Sequence, residues 1–221
     1  YSSLFCELCS MATPEIPTLA ELGWNNHFNQ QLNIDEWDEY FPARIILQHK
    51  SELVLLSEQG QITITTPTAA SNNPEKFTVG DWVLLDQAHN YYKPLERFSV
   101  FSRKAAGSKI DEQLIAANVD TLLIVSSLNH DFNLNRIERY LVLANDAQVE
   151  PVIVLTKSDL CESQAIIDDY IQKIQSLDNF LMVVAVNALE QASISQLAPW
   201  CKPGKTLAFL GSSGVGKSSL V

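Results

Sequence analysis

Residues 211–218 read Gly-Ser-Ser-Gly-Val-Gly-Lys-Ser, followed by Ser219 and preceded by the apolar run Leu207-Ala-Phe-Leu210. Read as a strand, a glycine-rich turn and a helix start, this fits the spacing G-x-x-x-x-G-K-[ST], which is chemistry for holding phosphates. In that reading Gly211, Ser212, Ser213, Gly214, Val215, Gly216 and Ser219 contribute the loop, whose glycines turn backbone N–H groups inward. Lys217 reaches the β- and γ-phosphates and supplies catalytic charge, and the Ser218 hydroxyl ligates Mg²⁺. The competing reading is a serine- and glycine-rich turn that contains Lys-Ser by chance, which leaves the flanking strand and helix start unexplained.

A second constellation lies upstream at the end of the apolar run Pro151–Leu155: Thr156-Lys157-Ser158-Asp159. It resembles the Asn/Thr-Lys-x-Asp motif with which GTPases recognise guanine. A carboxylate only accepts hydrogen bonds, so Asp159 matches the adjacent N1–H and 2-amino donors of guanine, which adenine lacks. Lys157 is expected to lie along the base and brace the phosphate loop, while Thr156 stands where Asn is commoner. A Ser/Asp turn capping the next helix would use the same residues. One strand later, Asn187-Ala188 occupies the position from which a backbone N–H approaches guanine O6, Asn187 standing in for the usual Ser. The order along the chain is base motif, second base motif, phosphate loop, whereas ordinary GTPases begin with the phosphate loop.

Those motifs need strands that end where they begin. From about residue 106 onward, apolar runs alternate with amphipathic stretches: Val119–Ser126, Pro151–Leu155, Phe180–Val186 and Thr206–Leu210 read as strands. Helices are expected at Asn133–Ala147 and Ser163–Leu177, with a short one near Ile194–Trp200. A continuous apolar run suits a parallel strand buried on both faces, and repeated β-α connectivity implies a doubly wound α/β domain with ligands at the carboxyl ends of its strands. Residues 40–105 have a different rhythm, with strands expected at Ala43–His49, Glu52–Ser57, Gln61–Thr66, Asp81–Asp86 and Leu95–Phe101. Turn residues separate them, which suggests a small OB-like β-barrel, a fold whose open face commonly binds oligonucleotides; an SH3-like spacer barrel is the alternative. Residues 1–39 read as an acidic arm, solvated or loosely docked, with one short helix near Thr18–Gly23.

The net charge of −11 is uneven. Residues 1–39 hold seven acids and no Lys or Arg, residues 40–105 six acids against seven bases, and residues 106–221 thirteen against eight. The middle segment is therefore the place for any polyanion contact, through Arg44, Arg97, Arg103 and Lys104. Four cysteines do not make a disulfide framework in a chain of this length, which favours the cytoplasm. Cys6 and Cys9 have a metal-type spacing without a second pair beside them. No apolar run approaches a membrane span, and the sequence starts without a basic segment leading into an apolar one, so no secretory signal is expected.

The inverted motif order, the N-terminal barrel and several blocks together resemble the ribosome small-subunit-dependent GTPase family (RsgA/YjeQ), a circularly permuted GTPase family. The blocks are Leu22-Gly-Trp24, Pro42-Ala-Arg44, Val79–Val83, Ser102–Gly107, Ile115–Asp120, Asp131–Tyr140, Thr156–Leu160 and Gly211–Ser219. The resemblance implies a ribosome-stimulated GTPase acting late in 30S maturation, using Mg²⁺, with the barrel touching 16S rRNA, and a monomer is expected. It also implies a switch segment, an Asp-x-Pro-Gly motif and a C-terminal zinc domain that these 221 residues do not contain. The GTPase domain is therefore read as incomplete after the phosphate loop, and these residues alone are expected to lack full activity. Two readings from other classes compete. One is an ATP-using P-loop protein whose Thr-Lys-Ser-Asp only caps a helix; the other is a ribosome- or nucleic-acid-binding module with a degenerate nucleotide pocket.

Overall fold

The computed structural model describes residues 16–67, 76–104 and 112–221. Described residues up to 119, together with 203–205, form one compact unit; residues 120–202 with 206–221 form another.

The first unit begins with helices α1 (Asn26–Asn29) and α2 (Ile34–Glu39). Strands β1 (Tyr40–Gln48), β2 (Glu52–Ser57), β3 (Gly60–Thr65), β4 (Trp82–Asp86) and β5 (Tyr91–Pro94) follow, then β6 (Val100–Lys104) and β7 (Glu112–Ala117). β1 to β5 make one antiparallel sheet in the order β3-β2-β1-β4-β5, and β6 pairs antiparallel with β7. Among the described residues this is an open sheet and a two-stranded pair, with no closed barrel.

The sheet is buried on both faces along β4, and alternation along that strand shows how. Successive side chains of a strand point to opposite faces. Val83 and Leu85 enter a core with Ala43, Ile45, Leu53, Leu55, Ile62, Ile64 and Phe77. Trp82 and Leu84 enter a second core with Leu22, Phe28 and Leu95, against which Leu19, Trp24 and Leu32 pack. The segment read as a solvated or loosely docked arm is therefore, from Leu19 to Leu32, packed closely as the cover of the second face. Leu22 and Phe28 are fully buried, and Trp24 meets Trp82 edge to face at 4.9 Å. Polar residues around those few aromatics hide the pattern in the sequence, because they serve as caps: Asn25 and Asn33 accept hydrogen bonds from the first turns of α1 and α2. The part of the arm that holds Cys6 and Cys9 lies outside the described residues.

The fifth expected strand, Leu95–Phe101, is displaced. β5 ends at Pro94; Leu95 N still donates to Trp82 O on β4 at 2.9 Å, but Glu96 N is then spent on Gln31 Oε1 and Phe98 N on Asn118 Oδ1, and a strand resumes only at Val100, in β6. A segment whose N–H groups are taken this way cannot continue a ladder.

Glu36 joins α2 to the sheet. Its carboxylate accepts from Lys93 Nζ on β5 and from Asn33 N, at 3.0 Å, in a capping box. These bonds, Lys93 first, hold its pKa below the ordinary 4.5. A depressed carboxyl pKa contributes stability that is present above the ordinary value and is lost as pH falls through the depressed one. Glu36→Gln is therefore expected to lower the urea midpoint at neutral pH, with the gap to the parent protein closing as pH drops below 4.5. A gap that is constant with pH would show that the carboxylate charge contributes nothing.

The second unit is the alternating α/β part. Its strands are β8 (Thr121–Ser127), β9 (Glu150–Thr156), β10 (Met182–Ala185) and β11 (Leu207–Leu210). Its helices are α3 (Leu134–Asp146), α4 (Gln164–Gln175), α5 (Gln191–Ile194) and α6 (Lys217–Leu220). The strands form one parallel sheet in the order β10-β9-β8-β11. Every residue of β8 is buried, as a parallel strand covered on both faces requires. α3 is capped by Asn133 and buries Ile137 and Ala144; α4 buries Ile167 and Ile174. No helix among the described residues is long and apolar enough to cross a membrane.

Candidate nucleotide site

β11 runs parallel to β8 and ends at Leu210, where the chain must turn sharply beside its neighbour. A Cβ on Gly211 would lie 2.4 Å from Val125 O, so this position accepts no side chain. Five residues later Gly216, at φ +95°, starts α6 in a conformation that side-chain-bearing residues rarely adopt. Between them Val215 is buried in the core formed by Leu123, Val125, Val152, Val154, Val186, Leu197 and Phe209. The apolar residue at the centre of the motif thus anchors the loop to the sheet, while Ser213 and Gly214 remain exposed.

Both ends of the loop are tied by cations or hydroxyls. Lys217 Nζ donates to Gly211 O at 2.8 Å and Ser212 O at 2.6 Å. Burial pushes its pKa below the ordinary lysine value. Thr156, at the end of β9, is fully buried, and its hydroxyl donates to Val215 O at 2.5 Å. Lys157 Nζ donates to Gly214 O at 3.0 Å. The upstream motif and the phosphate-type loop, some 57 residues apart in sequence, are therefore hydrogen-bonded directly to each other.

Lys157 takes a left-handed conformation, φ +61°, and the chain then closes a 3-10 turn over Ser158–Leu160. That turn leaves Asp159 exposed beside the loop-facing lysine. Ser158 N donates to Val186 O at 3.3 Å, drawing the next strand's end alongside. There Asn187 N donates to Ser193 Oγ at 2.8 Å and Asn187 Oδ1 accepts from Leu189 N at 3.0 Å, so the asparagine side chain holds its own turn and Ala188 follows it half-buried. Burial and the nearby Asp159 charge push the Cys161 thiol upward.

The residues named for this site thus converge on the carboxyl ends of β9, β10 and β11, with one change of role. Thr156, expected beside the base, has no exposed surface and serves as a brace under the loop. Arg136 falls within the block Asp131–Tyr140 and was not singled out for chemistry. It donates through Nη1 to Ser212 Oγ and lies 3.1 Å from Asp131 Oδ2. Its place on the first turn of a helix that follows β8, the neighbour of β11, was the available signal. Among the described residues no cluster of three or more His, Cys, Asp or Glu could hold a metal. Ser218, exposed on the first turn of α6, offers one hard oxygen, which suits Mg²⁺ held mainly by phosphates and water.

The four cations expected to meet a polyanion fare differently. Arg44 is buried and donates to Leu22 O (2.6 Å), Asn118 O (3.0 Å) and Gly80 O (3.4 Å). It is a strut of the first unit's interior and presents no surface to a phosphate. Arg97 forms a two-pronged pair with Asp81, at 2.6 and 2.7 Å, and also donates to Lys76 O, so its charge is neutralised in place. Arg103 is exposed, held by Gln113 Oε1 across the β6–β7 pair, and Lys104 follows it on β6.

The RsgA GTPase family model matches residues 94–221. The small ribosomal subunit biogenesis GTPase RsgA 2 of Vibrio parahaemolyticus is 50% identical over 218 residues, 98% of this chain and 58% of that protein. The crystal structure of YjeQ from Thermotoga maritima resembles this fold with a TM-score of 0.63 at 23% identity, covering 82% of this chain and 63% of the other. YloQ, described as a circularly permuted GTPase, gives 0.62 at 26% identity over 81% and 62%. The chain spans a little over half the length of the curated relative it matches. From the family match across the second unit and the motif order it contains, the chain belongs to the RsgA GTPase family.

Proposed function

We propose that residues 156–159, 186–188 and 211–219 bind a guanine nucleotide with Mg²⁺, and that the protein to which they belong hydrolyses GTP as a cytoplasmic assembly factor of the small ribosomal subunit. The observation that carries this is the direct bonding of Thr156 and Lys157 to Val215 and Gly214. A base-reading turn and a phosphate loop are useful to each other only at a fixed separation, and these bonds fix it. In this reading Asp159 reads the base, the loop amides and Lys217 bind the phosphates, and Ser218 holds the metal. Mg²⁺, when bound, neutralises phosphate charge and orients the oxygens. The chain's own residues contribute positioning and charge, the larger part of phosphoryl-transfer catalysis. The relative's name as a small ribosomal subunit biogenesis GTPase supports the ribosomal partner. GTP turnover with and without 30S subunits, measured on the full-length protein, tests it; equal rates would overturn the ribosomal part.

The rRNA contact falls to Arg103 and Lys104, since Arg44 and Arg97 are committed to internal partners. Arg103→Ala with Lys104→Ala is expected to weaken 30S association several-fold at low salt and to flatten its salt dependence, because fewer counterions are released. Co-sedimentation at two salt concentrations measures both. Unchanged sedimentation at each would remove these residues from the interface.

A further inference from the structure

We propose that Arg136, with Asp131 as its counter-anion, is a positioning residue that latches the phosphate loop through the Ser212 hydroxyl; this rests on reading residues 211–218 as that loop. The bonds run in a continuous series from the sheet. Ser127, the last residue of β8, donates to Asn129 Oδ1 at 2.9 Å, and the same oxygen accepts from Asp131 N at 3.0 Å. This turn places the Asp131 carboxylate 3.1 Å from Arg136 Nη1. Asn133 Oδ1 accepts from Arg136 N at 2.9 Å, capping α3 and fixing where the arginine side chain departs. Nη1 then reaches Ser212 Oγ.

The other ties serve other parts of the loop. Val215 is held by burial and by Thr156, Gly214 O by Lys157, and the carbonyls of Gly211 and Ser212 by Lys217. Arg136 alone among these acts on a loop side chain, and it does so from α3, at Ser212, two residues before the Gly214 carbonyl that Lys157 holds. A lysine whose bonds must be exchanged for phosphate contacts cannot also keep the loop's entry in shape; a guanidinium already neutralised by Asp131 can. An arginine whose charge were merely solvated would not be three-quarters covered, as Arg136 is, nor aimed at a residue 76 positions away.

Hydrogen–deuterium exchange of the nucleotide-free chain over residues 211–216, paired with GDP titration, tests the latch in Arg136→Ala, Arg136→Lys, Ser212→Ala and the Arg136→Ala/Ser212→Ala double variant. Arg136→Ala and Ser212→Ala should each speed loop exchange and weaken GDP binding about fivefold to tenfold, with α3 exchange unchanged. The double variant should be no worse than the poorer single one, because both remove the same bond. Arg136→Lys, which keeps a charged donor, should recover most of the affinity. Multiplicative losses in the double variant, or loop exchange unaltered in Arg136→Ala, would overturn the latch. A parent chain that fails to bind GDP would overturn the nucleotide reading instead, while the exchange data would still decide whether Arg136 holds the loop.

Discussion

Lys217→Ala is expected to raise the dissociation constant for GDP about a hundredfold, the equivalent of about 3 kcal/mol, as suits the loss of charge-assisted bonds in a partly desolvated site. The ammonium now rests on the carbonyls of Gly211 and Ser212, at 2.8 and 2.6 Å. Burial disfavours its charge, as the lowered pKa records, and two carbonyl dipoles offset that cost less well than a phosphate anion would. The gain on binding is therefore concentrated in this one side chain. The sign with pH follows: affinity holds while the lysine is protonated and falls as pH rises through its depressed pKa, earlier than an ordinary lysine would allow. Val215 burial and the Thr156 brace do not depend on Lys217, so the melting temperature of the nucleotide-free variant should barely move. Titration with a fluorescent GDP analogue measures the effect, and a change under threefold would show that Lys217 is not a phosphate ligand.

How far the sequence alone leads depends on whether a signal is local. The central strands of the parallel sheet were legible because burial on both faces demands unbroken apolar runs, and Val119–Ser126 locates β8 (Thr121–Ser127) to within two residues. The phosphate-type loop was legible because its residues are contiguous and Gly216 answers a local demand of the backbone, a positive φ. What escaped depends on partners distant in the chain. Arg44 has the same charge as Arg103, yet one is a buried strut and the other is exposed, a difference made by the carbonyls of Leu22, Gly80 and Asn118. Thr156 occupies a base-motif position and bonds to a residue 59 positions later. The displaced strand at Leu95–Phe101 has suitable side chains, but two of its backbone donors, Glu96 N and Phe98 N, are taken by Gln31 and Asn118. The segment from Leu19 to Leu32 is rich in polar residues, and its packing depends on Trp24 and Phe28 meeting Trp82.

Asp159→Asn should weaken GDP binding by about 2 kcal/mol or more, roughly thirtyfold, and make xanthosine diphosphate the preferred ligand. The carboxylate is exposed on a turn whose geometry is set elsewhere, by the left-handed Lys157 and by the Ser158 bond to Val186 O, so the substitution changes hydrogen-bonding chemistry and leaves the scaffold alone. An aspartate accepts from both N1–H and the 2-amino group of guanine. An asparagine can accept only one and turns a donor toward the other, which repels an amino group and matches the 2-oxo group of xanthine. The inversion of preference is what separates base reading from helix capping: a cap residue replaced by Asn, itself a good cap, would leave both affinities unchanged. Titration calorimetry of the parent chain and the variant with GDP, ADP and xanthosine diphosphate gives the answer. If the parent binds ADP as tightly as GDP, Asp159 does not read guanine, and the chain's phosphate loop serves a nucleotide recognised by other residues.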